Sequence, residues 1–228
     1  MKDFDDVALI ASRIAQELVN GDIINLGIGI PTEVANYVPD TTEVVITSEN
    51  GIIGLGKKPD KQDEHDDLIN AGGGKISELA ETSYIDSCIS FGIIRGGHLD
   101  ISVLGALQVD QEGNIANWII PGKMTPGMGG AMDLCTGAKK IVAALKHVDK
   151  AGNSKILKKC NLPLTASHAV DLIVTDMAVI EITDKKAILK EIAFWTNLDD
   201  VIKATEAELI ISNDLTTFGN RPLTKKAV

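Results

Sequence analysis

Aromatic side chains are scarce in this chain, with Phe 4, Tyr 2 and Trp 2 among 228 residues, so its core has to be built from aliphatic packing. Cysteine is sparse too: Cys88, Cys135 and Cys160 are widely spaced and form no C-x-x-C pair that would suggest a zinc or redox site, so free thiols in a reducing cytoplasm are expected. Basic residues are in the minority, 22 Lys and Arg against 32 Asp and Glu, for a net charge of −10. That balance speaks against non-specific binding to nucleic acid or to an anionic membrane, which depend on clustered Lys and Arg. No apolar run approaches the roughly 20 residues of a membrane-spanning helix, and the acidic opening Met1-Lys2-Asp3-Phe4-Asp5-Asp6 is no secretory signal. Neither an internal repeat nor a low-complexity segment is present, and no second His pairs with His98 at metal-ligand spacing, so no metal is expected.

Glycine, at 21 residues, is abundant, and its placement organises the chain. The length suits one domain, taken as 1–215, with a loose tail from Thr216. Val7, Ile10, Ala11, Ile14, Leu18 and Val19 fall at helical spacing and stop at Asn20-Gly21. Asp22 to Leu26 reads as a buried strand, followed by Gly27-Ile28-Gly29-Ile30-Pro31-Thr32 and a short helix to Val38. Glu43 to Thr47 is a second strand, and the 57–67 segment is an exposed loop with a solvated His65. Ser83 to Ile94 reads as a helix, and Leu99 to Leu104, Ile115 to Ile120, Lys139 to Leu145, one long run Asp171 to Ile182, Ala187 to Ile192 and Glu208 to Ile211 as strands. Asn197 can cap a helix over Leu198 to Glu206. Alternation of this kind predicts an α/β, Rossmann-like domain with a mixed, mostly parallel sheet flanked by helices.

The chemistry concentrates at Ser48-Glu49-Asn50-Gly51. Glu49 closes a buried strand, and Asn50-Gly51 supplies a sharp turn that can present it to a cleft at the carboxyl edge of the sheet. A carboxylate is already ionised near neutrality, so a nucleophilic Glu needs aim and exposure but no base. The competing reading is a surface turn with an incidental acid. Gly27 and Gly29 let ligand oxygens approach main-chain N–H groups, and the second glycine-rich loop, Pro121 to Gly130, runs into a helix start at Ala131 where amides can receive an oxyanion. A dinucleotide site is the rival for the first loop, but Thr32 stands where that fingerprint wants its last small residue and Pro31 removes a donor. Arg95 and His98 are expected to play structural roles.

Taken together, Asn25-Leu26-Gly27-Ile28-Gly29-Ile30-Pro31-Thr32, Ser48-Glu49-Asn50-Gly51, Arg95-Gly96-Gly97-His98, Asn117-Trp118-Ile119-Ile120-Pro121-Gly122-Lys123-Met124 and Gly127-Met128-Gly129-Gly130-Ala131-Met132-Asp133-Leu134 closely resemble the family I CoA-transferases. The likeness is to the β chain of 3-oxoacid and butyrate/acetoacetate CoA-transferases, in order from about residue 7 to residue 213. It implies the CoA-transferase and sugar-phosphate-isomerase-like fold. It also implies Glu49 as nucleophile and oxyanion-binding main-chain amides at Asn25 and Gly130, with Gly27, Gly29 and Gly129 completing the loops and Ser48, Asn50 and Gly51 presenting the acid. Thr47 departs from the Gln or His common before the Ser. The implied reaction is ping-pong CoA transfer between an acyl-CoA and a short-chain carboxylate or 3-oxoacid, with CoA as substrate and no permanently bound cofactor. A separate α subunit is implied, in a heterotetramer or larger assembly. Lys57, Lys58 and Lys123 are candidates for the CoA phosphates. An acyl-CoA hydrolase, a sugar-phosphate isomerase and a metabolite sensor are the other readings.

Overall fold

The computed structural model describes residues 4–56, 58–122 and 127–219. In chain order the elements are α1 (Asp6–Ile14) with a 3-10 turn (Ala15–Glu17), β1 (Ile23–Leu26), a 3-10 stretch (Ile30–Tyr37), β2 (Val45–Ser48), β3 (Ile52–Leu55), β4 (Glu78–Tyr84) and α2 (Ser87–Arg95). There follow β5 (Ile101–Gly105), β6 (Gln108–Asp110), β7 (Ile115–Ala116), α3 (Ala131–Gly137), β8 (Lys140–Ala144), β9 (Ile156–Leu157), β10 (Leu172–Val174), β11 (Ala178–Thr183), β12 (Lys186–Ala193), α4 (Leu198–Ala204) and β13 (Leu209–Phe218). Caps set the helix starts. Asp5 accepts from the amides of Val7 and Ala8, Asp86 from Ile89, and Asn197 from Asp200 as its position before Leu198 predicts.

Ten strands form one sheet in the order β13-β12-β11-β10-β8-β5-β1-β2-β3-β4. The middle, β10-β8-β5-β1-β2, is wholly parallel, while β2-β3-β4 and β10-β11-β12 are antiparallel, so the sheet is mixed as expected. A separate sheet, β7-β6-β9, packs beside it. One face carries α1 and the 3-10 stretch over Ile24, Ile101, Val103 and Val142; the other carries α2 and α3 over Leu104, Ile141 and Ala143. From β1 the chain moves one way to β2 and later returns to β5 on the other side. The carboxyl ends of these strands therefore flank a topological switch, where a crevice opens.

Several boundaries differ from the expectation. The 171–182 run is a hairpin: the Thr175 hydroxyl oxygen accepts from the amides of Met177 and Ala178 and breaks the strand between β10 and β11. The helix expected from Ser83 begins at Ser87, because Ser83 and Tyr84 belong to β4, an exposed edge strand without an apolar face to betray it. Only Ile115–Ala116 of the 115–120 segment is strand. The loose tail expected from Thr216 is also wrong at its start, since Thr216, Thr217 and Phe218 pair with Glu191, Ile192 and Ala193, and Phe218 is buried. Residues 220–228 lie outside the described residues. Among the described residues no helix is long and apolar enough to cross a membrane. Cys88, Cys135 and Cys160 are free thiols, and burial pushes Cys135 up to about 12.

His147 is fully buried between Thr175 Oγ1 at 2.9 Å from Nδ1 and Thr205 Oγ1 at 2.8 Å from Nε2. Thr205 gives its own proton to the Val201 carbonyl (2.6 Å), so Nε2 is the donor on that side. Thr175 already accepts two amides and has no lone pair for a proton on Nδ1. The ring is therefore neutral in the fold, and burial lowers it from 6.5 to about 4. Because the unfolded chain takes up this proton first, stability is lost as pH falls from about 6.5 to about 4, by on the order of 3 kcal/mol from this ring. Nitrogen NMR should show a single Nε2–H tautomer at pH 5. Phe218→Ala should lower the unfolding free energy by about 3 kcal/mol in denaturant titration, a loss a loose tail would not produce.

Candidate active site

Glu49 stands where β2 ends, in a turn closed by the Gly51 amide on the Ser48 carbonyl (3.0 Å), and the chain returns as β3 with Ser48 opposite Ile52. Gly51 has φ +119°, and a Cβ there would lie 2.1 Å from the Ile85 carbonyl oxygen, so no other residue fits. Asn50 is not at positive φ. It acts as a strut instead: its Nδ2 donates to the Ile69 carbonyl (2.8 Å), while Ser48 Oγ accepts from the Ala71 amide (2.9 Å). The 69–71 segment thus clamps both sides of the turn, and Glu49 is left half-buried with its carboxylate free of any ion pair among the described residues.

Asn25, just before the first glycine loop, and Gly130, at the end of the second, both approach this side chain. Asn25, in β1 and fully buried, reaches Glu49 Oε2 with its Nδ2 at 3.4 Å. Its main chain lies in the ladder between Thr47 and Ser102, and the Gly27 amide donates to the Val103 carbonyl (2.8 Å). The first loop therefore offers the cleft a carboxamide where main-chain amides were expected from Asn25 and Gly27. Gly29 (φ +86°) is exposed further along the same loop. Gly130 caps α3, and a Cβ on it would come 3.3 Å from Glu49 Cγ and 3.2 Å from the Phe91 ring. Gly129 (φ +58°) is exposed beside it. Asn117 anchors the start of the second loop by donating to the Gly105 carbonyl (3.2 Å) at the end of β5.

Arg95 and His98 make no hydrogen bond or ion pair with Glu49 among the described residues. Arg95 Nε bonds Asp133 Oδ1 at 2.7 Å and its guanidinium sits 5.5 Å over the Phe91 ring, holding α2 to α3, while His98 is exposed. Lys57 and Lys123 lie outside the described residues; Lys58 is exposed at a cavity of about 300 Å³ that Thr47, Ser48 and Lys75 also line. Sequence reasoning missed Phe91, the Asn25 carboxamide, and two cations, Lys146 and Lys155, which line an open cavity of about 320 Å³ with Ile28 and Asn117. Burial lowers the Lys155 ammonium, which donates to the Ala106 carbonyl (3.0 Å). The one available signal was a lone polar residue within an apolar strand, as in Ile24-Asn25-Leu26.

Residues 7–204 match the family model described as coenzyme A transferase. The chain is 52% identical over 208 residues to the beta subunit of the acetate CoA-transferase of Escherichia coli K12, covering 91% of this chain and 95% of that one. It is 46% identical over 203 residues to one subunit of a probable succinyl-CoA:3-ketoacid coenzyme A transferase of Bacillus subtilis 168, with 89% of this chain and 94% of that one covered. Among solved structures, the acyl-CoA transferase of Escherichia coli O157:H7 in a thioester complex with CoA superposes with a TM-score of 0.75 at 23% identity. It shares the fold over 96% of this chain, which spans 44% of that longer polypeptide. An α/β sheet with a glutamate turn between two glycine loops, matched along nearly its whole length, belongs to the coenzyme A transferase family, and this chain is a β-type subunit of it.

Proposed function

We propose that the chain carries the nucleophile of a CoA-transferase that moves CoA between an acyl-CoA and a short-chain carboxylate or 3-oxoacid, and that Glu49 is that nucleophile. The observation that carries this reading is the half-buried Glu49 carboxylate, held by the Asn25 carboxamide at 3.4 Å and packed against Gly130. Glu49 attacks the thioester carbonyl of the donor, forming an acyl-glutamyl anhydride and releasing CoA thiolate. The thiolate attacks the glutamyl carbonyl, leaving a glutamyl-CoA thioester and the first free acid. A second carboxylate attacks this thioester, expelling thiolate, which then takes the new acyl group and restores the Glu49 carboxylate. Each tetrahedral oxygen develops negative charge, and a single aimed donor contributes about 3 kcal/mol. The Asn25 Nδ2 and the Gly130 amide are the donors assigned to it here.

The acetate and 3-ketoacid transferases among the relatives support short acids as substrates. That these relatives are themselves named as subunits supports a separate α subunit; in this reading it closes the cleft against water, and the assembly is a heterotetramer or larger working in the cytoplasm. CoA enters as substrate, and no cofactor is assigned.

Incubating the assembled enzyme with acyl-CoA and then with borohydride or hydroxylamine should modify Glu49; an active enzyme with Glu49 untouched would refute the assignment. Glu49→Gln should lower transfer by about 10³-fold or more, and CoA release without an acceptor acid would mark a hydrolase instead. Gly51→Ala keeps the acid but displaces the turn, and should cost about 2 to 3 kcal/mol in thermal unfolding together with most of kcat.

A further inference from the structure

Near Glu49, two fully buried side-chain oxygens have no hydrogen-bond partner among the described residues. Thr47, Asn25 and Ser102 are register partners across β2, β1 and β5, so their side chains leave the same face of the sheet. That face is the one α2 and α3 cover, and its other residues there are Leu104, Ile141 and Ala143. Asn25 and Ser102 are both 0% exposed. The Asn25 Nδ2 faces the Thr47 carbonyl at 3.3 Å and Glu49 Oε2 at 3.4 Å, both acceptors. Turning the carboxamide over would set its oxygen against a carbonyl and a carboxylate, so its orientation follows from its neighbours, with Oδ1 directed away from them. Asn25 Oδ1 and Ser102 Oγ are both unsatisfied. Thr47 is not the missing donor, because its Oγ1 already bonds the Ile24 carbonyl (3.0 Å).

We propose that Ser102 is a positioning residue of the transfer site: its hydroxyl pairs with Asn25 Oδ1 when the cleft is assembled and keeps the carboxamide N–H₂ turned toward Glu49. Neither oxygen has another partner among the described residues, and a Ser102 to Asn25 bond satisfies both at once. Ser102 touches neither Glu49 nor substrate and acts only through Asn25. The inference rests on Glu49 being the nucleophile and adds the residue that aims it.

The test is a double-mutant cycle on the complex with its α subunit, read as kcat, KM for acyl-CoA and the rate of adduct formation on Glu49. Ser102→Ala should slow adduct formation about tenfold, the rate equivalent of one net hydrogen bond, with KM unchanged. In an Asn25→Ala background the same replacement should change nothing, because the path it acts through is gone. Ser102→Cys, close in size and a weak donor, should fall between and covers the case in which the alanine variant does not fold. An equal loss in both backgrounds, a loss confined to KM, or no loss at all overturns the proposal while leaving Glu49 in place. Absence of any Glu49 adduct in the unmodified enzyme overturns both.

Discussion

The contact between Gly51 and the Ile85 carbonyl is the constraint on which the site depends. With the main chain of β4's exit packed where a side chain would stand, the turn after β2 can close only through glycine at positive φ, and the Ile85 amide seals it by bonding the Gly51 carbonyl at 2.9 Å. Glu49 is thereby raised above the sheet at a single angle. Ser48 and Asn50 then tie the same turn to the 69–71 segment, so that two independent stretches of chain hold an acid that makes no ion pair of its own among the described residues. Rigidity of this kind suits the nucleophilic role proposed for Glu49, where the side chain's own charge supplies the reactivity.

Around that turn the parallel ladder does the rest. Because β1 lies between β2 and β5, a side chain on β1 can reach what β2 carries while its other end faces β5. Asn25 occupies that place. Its carboxamide reaches the Thr47 carbonyl on β2, in a layer where Thr47, Asn25 and Ser102 are polar among aliphatic neighbours, and buried polar groups persist only where they are bonded or functional. Gly130 reaches Glu49 from the N-cap of α3, which the Arg95 to Asp133 pair holds against α2. The cleft is thus walled by elements from the first, second and fifth strands and the third helix, and each wall is anchored by hydrogen bonds within this chain.

Much of this was legible in the residues. The spacing of Ile10 and Ile14, the Asn197 cap and the β-branched runs before Glu49 and after Lys139 all report local rules, and those elements stand close to where the rules put them, although the first helix, expected to reach Val19, gives way to a 3-10 turn at Ala15 and leaves Leu18 extended. The failures share a cause. β4 has little burial on either face and so lacks the alternation that marks a strand; Thr175 breaks an apolar run through hydroxyl bonds that composition does not reveal; and Thr216 to Phe218 look polar and loose until β12 pairs with them.

By itself, the sequence determined the family, singled out Glu49 as the candidate acid and marked the glycines around it, because these follow from residue type and spacing along the chain. Only the tertiary structure decided which atoms meet that acid. Asn25 and Gly130 are separated from Glu49 by dozens of residues in the chain and brought to it by strand order and helix packing, and neither of those is encoded in any local pattern. The carboxamide of Asn25, and not its main-chain amide, faces the cleft because the ladder claims the latter, a choice made only when β1 takes its place between two neighbours.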